Sequence, residues 1–334
     1  MDVRKFLPGI QKNILLKNYT TFKIGGRARY FFIAKEKEEL VKAVKTAKKF
    51  KLPFLILGGG SNLLLSDKGF NGLVIKNEAR NFKINKKTII AESGAILSKI
   101  VNASIKAGLS GLVKGRGIPG TVGGAIYGNT GWPKGAWAIG DLVKEIEVLT
   151  PSGKIKKQSQ KWFAFGYRNS RLKMIHPVKS RKAGAKQFNR VKGEKSVILE
   201  IILKFKKGKK IDLEKKSQEI LKNRSQKIPM AFSAGSIFKN PAPKQSLVRG
   251  RSFCFSAGRQ KGRASLSAGE LIEKCGLKGK RIGNAKISEK HANFIINLGG
   301  GKAKDVKKLI NLAKRKVKNK FGIALKEEIQ LVGF

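Results

Sequence analysis

The sequence predicts an α+β fold. Two observations predict it: the chain carries both amphipathic helical periods and short, strand-like apolar runs, and the two are mixed throughout. Residues 36–49 place Leu40, Val41, Val44 and Ala47 on one side and lysines on the other, an amphipathic helix. Pro53 follows, and a short strand over 54–57 runs into Gly58, Gly59, Gly60, Ser61 and Asn62. Residues 73–75 and 88–91 read as further strands, and 96–107 as a helix with Ile96, Ile100, Ala103 and Ala107 on one face. After the glycine-dense segment 108–140, residues 143–149 and 197–205 are strand-like and separated by a loop. The first of these ends at Pro151, Ser152 and Gly153, a turn signal. Helices are predicted over 212–222, 268–275 and 303–320, the last with Val306, Leu309, Ile310, Ala313 and Val317 inward. Residues 294–296 form a strand, and 323–332 alternate as a final one. Two basic segments, 174–195 and 243–263, read as surface loops.

Composition narrows the function classes. Hydrophobic residues make up 41% of 334, enough for packed cores, and the length suits two or three domains. The apolar runs are too short to span a bilayer, and residues 1–13 lack the pattern of a signal peptide. Two cysteines, Cys254 and Cys275, read as reduced thiols, which places the chain in the cytoplasm. The two histidines, His176 and His291, stand apart and offer no metal site. Lys plus Arg is 73 and Asp plus Glu is 21, a net charge of +52. That excess raises a nucleic-acid function, because neutralised phosphates drive non-specific binding. The lysines fall on nearly every element, and no zinc-finger or RNA-binding signature accompanies them. The expectation is an ordinary fold with a basic surface and salt-sensitive, non-specific polyanion contact.

Four motifs carry chemistry. Gly58, Gly59, Gly60, Ser61 and Asn62 directly follow a strand, where successive glycines can turn backbone N–H groups towards an anion. Gly115, Arg116, Gly117, Ile118, Pro119 and Gly120 fit a dinucleotide fingerprint literally, but a helix precedes them and Pro119 interrupts. With Thr121, Val122, Gly123 and Gly124 they read instead as a bent loop pressed against a large cofactor. In the third motif, Ser236, Phe238 and Asn240 share a face if extended. In the fourth, Glu328 lies out of phase with Ile323, Leu325, Ile329 and Leu331. Each has a plain structural alternative: a glycine turn, a half-buried strand, an edge glutamate.

Their order is more specific. Asn18 to Phe22 with Gly25 and Gly26, Gly58 to Leu65, Gly117 to Gly124 with Asn129, Tyr167 to Ser170, Gly235 to Pro241, Gly269 to Gly279, Ser288 to Asn297 and Leu325 to Gly333 together resemble the UDP-N-acetylenolpyruvoylglucosamine reductase family. The resemblance covers nearly all of the chain outside the two basic segments. It implies a vanillyl-alcohol-oxidase-type FAD-binding fold in two subdomains, 1–70 and 71–206, and a C-terminal substrate domain, 207–334. It implies non-covalent FAD held by Gly58, Gly59, Gly60, Ser61, Asn62, Ile118, Pro119, Gly120, Gly123 and Gly124. NADPH then supplies hydride, and the enolpyruvyl sugar nucleotide takes its place.

The resemblance also assigns roles. Ser236 matches the proton donor, Arg168 the arginine on the substrate carboxylate, and Glu328 an assisting acid, whose protonated form requires a raised pKa. Tyr167, Arg168 and Asn240 match substrate-binding positions. Lys114, Gly115 and Arg116 are more basic than the family's run, and Trp132, Pro133 and Lys134 stand where it often has a small residue and a tyrosine. The segments at 174–195 and 243–263 look inserted, and the absence of an obvious tyrosine lid leans towards the shorter branch of the family. A monomer is expected. Two rival readings are a basic nucleic-acid-binding protein on a retained flavoprotein fold, and a related FAD-linked oxidase. Many such oxidases hold FAD through a histidine in the glycine loop, where this chain has Ser61.

Overall fold

The computed structural model describes residues 3–132, 137–173, 196–242 and 266–334. The basic segments expected at 174–195 and 243–263, with His176, Cys254, Pro133 and Lys134, lie outside the described residues. Apolar residues recurring every three or four positions set the six α-helices among the described residues: α1 (Lys37–Lys49), α2 (Leu97–Lys106), α3 (Val122–Gly128), α4 (Lys210–Lys227), α5 (Ala268–Lys274) and α6 (Ala303–Phe321). In α1, Leu40, Ala43, Val44 and Ala47 are buried, and charges follow the helix dipole, with Glu38 and Glu39 first and Lys48 and Lys49 last. Helix α4 runs further at both ends than the predicted 212–222; of its apolar residues Leu213 and Ile220 are buried and Leu221 is exposed.

The chain divides into two compact units. One comprises Met1–Gln11, Phe31–Gly59 and Leu73–Leu221, and the other Lys12–Tyr30, Gly60–Gly72 and Lys222–Phe334. The three-part division at 70 and 206 follows ligand roles and stays a functional proposal. The two units interleave along the sequence.

The first unit is built on a five-stranded antiparallel sheet in the order Ile155–Ser159, Val143–Leu149, Val197–Lys204, Thr88–Glu92, Phe82–Asn85. Its strands carry buried Ile89, Ala91, Ile146, Val148, Ile201 and Leu203, which share one core with Ile100, Val101 and Ile105 of α2 and Val122 and Ile126 of α3. Strand Phe54–Leu57 pairs in parallel with residues 73–76. The glycine-dense segment, expected as loop, contains α3.

The second unit has a four-stranded antiparallel sheet in the order Phe232–Ser236, Phe294–Asn297, Ala285–Ile287, Arg281–Ile282. Helix α6 packs on it through Val306, Leu309, Ile310, Ala313 and Val317, which share a core with Ile237, Phe238, Ile287 and Ile295. The first turn of α6 is capped from a distance: Asp67 accepts from the backbone N–H of Ala303 (2.8 Å) and Lys304 (3.0 Å). Gly322, at φ +70°, ends the helix. The alternating strand expected over 323–332 forms a ladder only at Gln330–Val332, in parallel with Leu63–Leu65. Ile323, Leu325 and Ile329 are still buried in alternation, but Leu331, expected with them, is exposed.

One buried amide ties this unit together. Asn297 Nδ2 donates to the carbonyls of Phe22 (3.0 Å) and Lys23 (3.3 Å), and its Oδ1 accepts from Gly299 (3.0 Å) and Gly301 (2.9 Å). Asn297→Ala leaves those four backbone groups without this partner. It is expected to lower unfolding free energy by roughly 2–4 kcal/mol. Urea denaturation followed by tryptophan fluorescence and far-UV circular dichroism checks this, and an unchanged midpoint contradicts it.

Candidate active site

In the first unit, strand Phe54–Leu57 delivers Gly58 and Gly59 to a position facing the loop ahead of α3. A Cβ added to Gly59 would lie 2.5 Å from Gly120 Cα, and one on Gly123 would lie 2.7 Å from both Cβ and O of Ser93. Only glycine permits that approach. Backbone bonds fix it: Gly123 N donates to Ser93 O (2.9 Å), Val122 N to Ala95 O (2.8 Å) and Leu97 N to Gly120 O (3.1 Å). Thr121 caps α3, its Oγ1 accepting from Gly124 N at 3.2 Å. Behind the loop, Lys76 Nζ donates to Gly58 O at 2.5 Å. Burial holds the Lys76 pKa below the usual lysine range, with Glu78 acting the other way. Trp132 Nε1 donates to Lys114 O at 2.8 Å and so braces the run ahead of Gly117.

Tyr167 and Arg168 occupy the tip of a tight turn in the same unit. Gly166 and Asn169 close it with reciprocal backbone bonds of 3.0 and 3.1 Å. Arg168 adopts φ +53°, the left-handed region, and its guanidinium lies 5.4 Å from the Tyr167 ring centroid. The turn is anchored to the end of α3. Asn129 Nδ2 donates to Gly166 O (2.9 Å), and Ser170 Oγ donates to Tyr127 O (2.8 Å).

The second unit brings Asn62, Ser236 and Glu328 into one backbone network. Strand Phe232–Ser236 ends at Ser236, and Ile237 O then accepts from Glu328 N at 2.8 Å. Lys239 N donates to Lys326 O at 2.9 Å, so residues 237–239 run beside 326–328. Gln330 N donates to Asn62 O (3.0 Å), and Asn62 Nδ2 to Glu328 O (3.4 Å). Thr21 ties the glycine loop to the same strand: its N donates to Gly60 O (3.2 Å) and its Oγ1 to Ser233 O (2.7 Å). Ser236 and Glu328 are both half-buried. Asn240 Oδ1 accepts from Ala268 N at 3.1 Å, at the start of α5. His291 nearby accepts from Asn293 N through Nδ1 (3.2 Å), and burial lowers its pKa, which favours the neutral ring.

The common face expected for Ser236, Phe238 and Asn240 is not formed. The ladder shifts register between Ser233 and Ser236, Gly235 sits at φ +77°, and Ile237 and Phe238 are buried in succession. Asn293 holds that bend: its Oδ1 accepts from Phe238 N (2.9 Å) and its Nδ2 donates to Phe238 O (2.8 Å). The predicted residues are thus distributed: Gly58, Gly59, Ile118, Pro119, Gly120, Gly123, Gly124, Tyr167 and Arg168 in the first unit, and Gly60, Ser61, Asn62, Ser236, Asn240 and Glu328 in the second. Lys76 is not singled out by the sequence, and Thr21 stands there only within the motif Asn18 to Phe22, without a role. A lysine directly after Leu73, Val74 and Ile75 was the available signal for Lys76.

Two features suit a dinucleotide pyrophosphate. Backbone is pressed together at Gly59–Gly120 and Gly123–Ser93, and Arg116 Nε is buried with no hydrogen-bond partner among the described residues. Residues 28–159 match the family model described as FAD binding domain. Residues 226–332 match that described as UDP-N-acetylenolpyruvoylglucosamine reductase, C-terminal domain. Together with the fold, these define the chain as an FAD-dependent oxidoreductase. The UDP-N-acetylenolpyruvoylglucosamine reductase of Caldicellulosiruptor bescii is 42% identical over 322 residues, covering 95% of this chain and 89% of that one. That of Thermotoga maritima is 36% identical over 318 residues, covering 95% and 96%. The crystal structure of the Thermus caldophilus reductase superposes with a TM-score of 0.72 at 30% identity, covering 97% of this chain and 99% of that one. The chain belongs to the UDP-N-acetylenolpyruvoylglucosamine reductase family.

The glycine approach makes a direct prediction. Gly123→Val forces side-chain atoms against Ser93 and costs about 1–3 kcal/mol of local packing. The variant is expected to fold, by circular dichroism, but to purify depleted in flavin, by visible absorbance. A full flavin complement contradicts the placement of this loop against the cofactor.

Proposed function

We propose that the chain reduces the enolpyruvyl group of UDP-N-acetylglucosamine enolpyruvate to give UDP-N-acetylmuramate, a cytoplasmic step of peptidoglycan synthesis, with NADPH as reductant. The reading is supported by family membership, by the match of residues 28–159 to an FAD-binding domain, and by the absence, among the described residues, of a helix able to cross a membrane. One observation supports giving Ser236 and Glu328 roles in the same step: Glu328 N donates to Ile237 O at 2.8 Å, so Glu328 lies beside the residue following Ser236.

FAD, when bound, supplies the two-electron relay from NADPH to the methylene carbon of the substrate. Gly58 to Asn62 and Ile118 to Gly124 are the segments proposed to hold it. The chain's own residues manage charge and proton. As the methylene carbon becomes a methyl, an electron pair builds on the neighbouring carbon and spreads into its carboxylate. The fixed charge of Arg168 binds that carboxylate and stabilises the enolate. Ser236 gives its hydroxyl proton to the same carbon. A serine is a weak acid in water, but the enolate carbon is a strong base and the strand end holds the donor in place. Glu328 assists as an acid near the carboxylate, and Tyr167 and Asn240 orient the sugar nucleotide. The basic surface, at a net +52, is proposed to contact polyanions non-specifically and in a salt-sensitive way.

Stopped-flow absorbance separates the two half-reactions. Ser236→Ala is expected to bleach its flavin with NADPH at the wild-type rate. Reoxidation by the enolpyruvyl sugar nucleotide is expected to slow by about 10²–10⁴-fold, the scale of lost general-acid catalysis. Reoxidation at the wild-type rate means that Ser236 is only a half-buried strand serine.

A further inference from the structure

We infer that Asn129 and Ser170 are positioning residues for Arg168, and that α3 transmits the placement of the glycine loops to the Arg168 turn. The inference rests on the carboxylate-binding role proposed above for Arg168. It goes beyond that role by naming what holds the arginine in place.

The Arg168 backbone does not hold itself. At φ +53° a residue with a Cβ is strained, because its Cβ crowds the following carbonyl oxygen. Such a conformation persists where surrounding bonds over-determine it. Here the surroundings are specific. Gly166 and Asn169 bond each other on either side of the tip. Asn129 Nδ2 donates to Gly166 O at 2.9 Å, and Ser170 Oγ donates to Tyr127 O at 2.8 Å. Both anchors are buried, Ser170 at 0% and Asn129 at 6% exposure, so water does not compete for them. Arg171 N donates to Phe163 O at 2.7 Å and closes the exit of the turn.

Asn129 does more than anchor the turn. It is the residue after α3, itself left-handed at φ +44°, and its Oδ1 accepts from Gly140 N at 3.0 Å. One residue therefore ends the helix with its backbone, while its side-chain amide fixes residue 140 and grips the turn. The other end of α3 is the place where Gly123 meets Ser93 and Thr121 caps the first turn. A helix of seven residues is about 10 Å long and stiff on the scale of its hydrogen bonds. The same short rod is thus pinned to the glycine loop at one end and to the Arg168 turn at the other.

The test uses the flavin-loaded enzyme and three variants: Asn129→Gly, Ser170→Ala and Arg168→Ala. Glycine is chosen at 129 because it keeps the left-handed helix end while removing both amide bonds. Asn129→Gly is expected to retain flavin and to be reduced by NADPH at the wild-type rate. Its reoxidation by the enolpyruvyl sugar nucleotide is expected to slow about 10–100-fold, as a displaced positioning group does. Its affinity for that substrate, measured calorimetrically on oxidised enzyme without NADPH, is expected to fall. Ser170→Ala should follow the same pattern more weakly. Combined with Arg168→Ala, Asn129→Gly should add little, because both act through one side chain. Wild-type reoxidation in Asn129→Gly, equal slowing of both half-reactions, or a full additional loss on the Arg168→Ala background overturns the inference. Wild-type reoxidation in Arg168→Ala itself overturns the carboxylate role and the inference with it.

Discussion

Backbone meets backbone where Gly59 faces Gly120 and where Gly123 faces Ser93, and no side chain fits at either place. The first unit is organised by that closeness. It stops strand Phe54–Leu57 at a glycine and continues strand Thr88–Glu92 into Ser93. It also sets the starts of α2 and α3 against each other through Leu97 N to Gly120 O and Val122 N to Ala95 O. The sheet and both helices bury a common core, so the glycine contacts are held by packing over a much larger area. In the same unit Arg116 Nε is buried with no hydrogen-bond partner among the described residues, a donor that an anionic dinucleotide can use.

The second unit solves a different problem. Its polar residues come from segments far apart in the chain, near 21, 62, 236 and 328, and no single element could present them. Backbone bonds from Glu328 to Ile237, Gln330 to Asn62 and Thr21 to Gly60 collect them, with the Thr21 hydroxyl donating to Ser233 O. Buried amides do the bracing, Asn293 around Phe238 and Asn297 around residues 22, 23, 299 and 301. A satisfied buried amide costs little and specifies one geometry. Side chains at Ser236 and Glu328 remain half-buried, an exposure compatible with the roles proposed for them.

Long periodic elements were legible in the sequence to within a few residues, as α1, α2 and α6 show. Helix α3 was not, because two of its first three residues are glycine, a poor helix former, and tertiary contact with Ser93 overrides that propensity. The final strand was read too long, since burial alternates over 323–329 without a ladder to accompany it. The face shared by Ser236, Phe238 and Asn240 failed for a related reason: a bend at Ile237 breaks the two-residue period, and only the distant Asn293 reveals it. The interleaving of the two units was beyond reach as well. Residues 12–30 and 60–72 join the C-terminal half through contacts that leave no local mark. Motif order was the informative signal for the family, whereas each motif alone had a plain structural alternative.

The surface charge has a simple physical origin in number. With 73 cationic and 21 acidic side chains, acids run out long before lysines do, and several are already engaged, as in Lys37–Glu147 (3.1 Å) and Lys286–Glu289 (2.6 Å). A surplus of that size bears on solubility, while the redox function is proposed to rest on the glycine loops and the Ser236–Glu328 network. The central claim is that this basic chain is a working flavin reductase of an enolpyruvyl sugar nucleotide. An anaerobic titration of the purified protein, followed by visible absorbance, tests it most directly. The account predicts a flavin spectrum that NADPH bleaches and that UDP-N-acetylglucosamine enolpyruvate restores, with UDP-N-acetylmuramate formed in equal amount. A colourless protein, or a bleached flavin that this substrate leaves bleached, would contradict it.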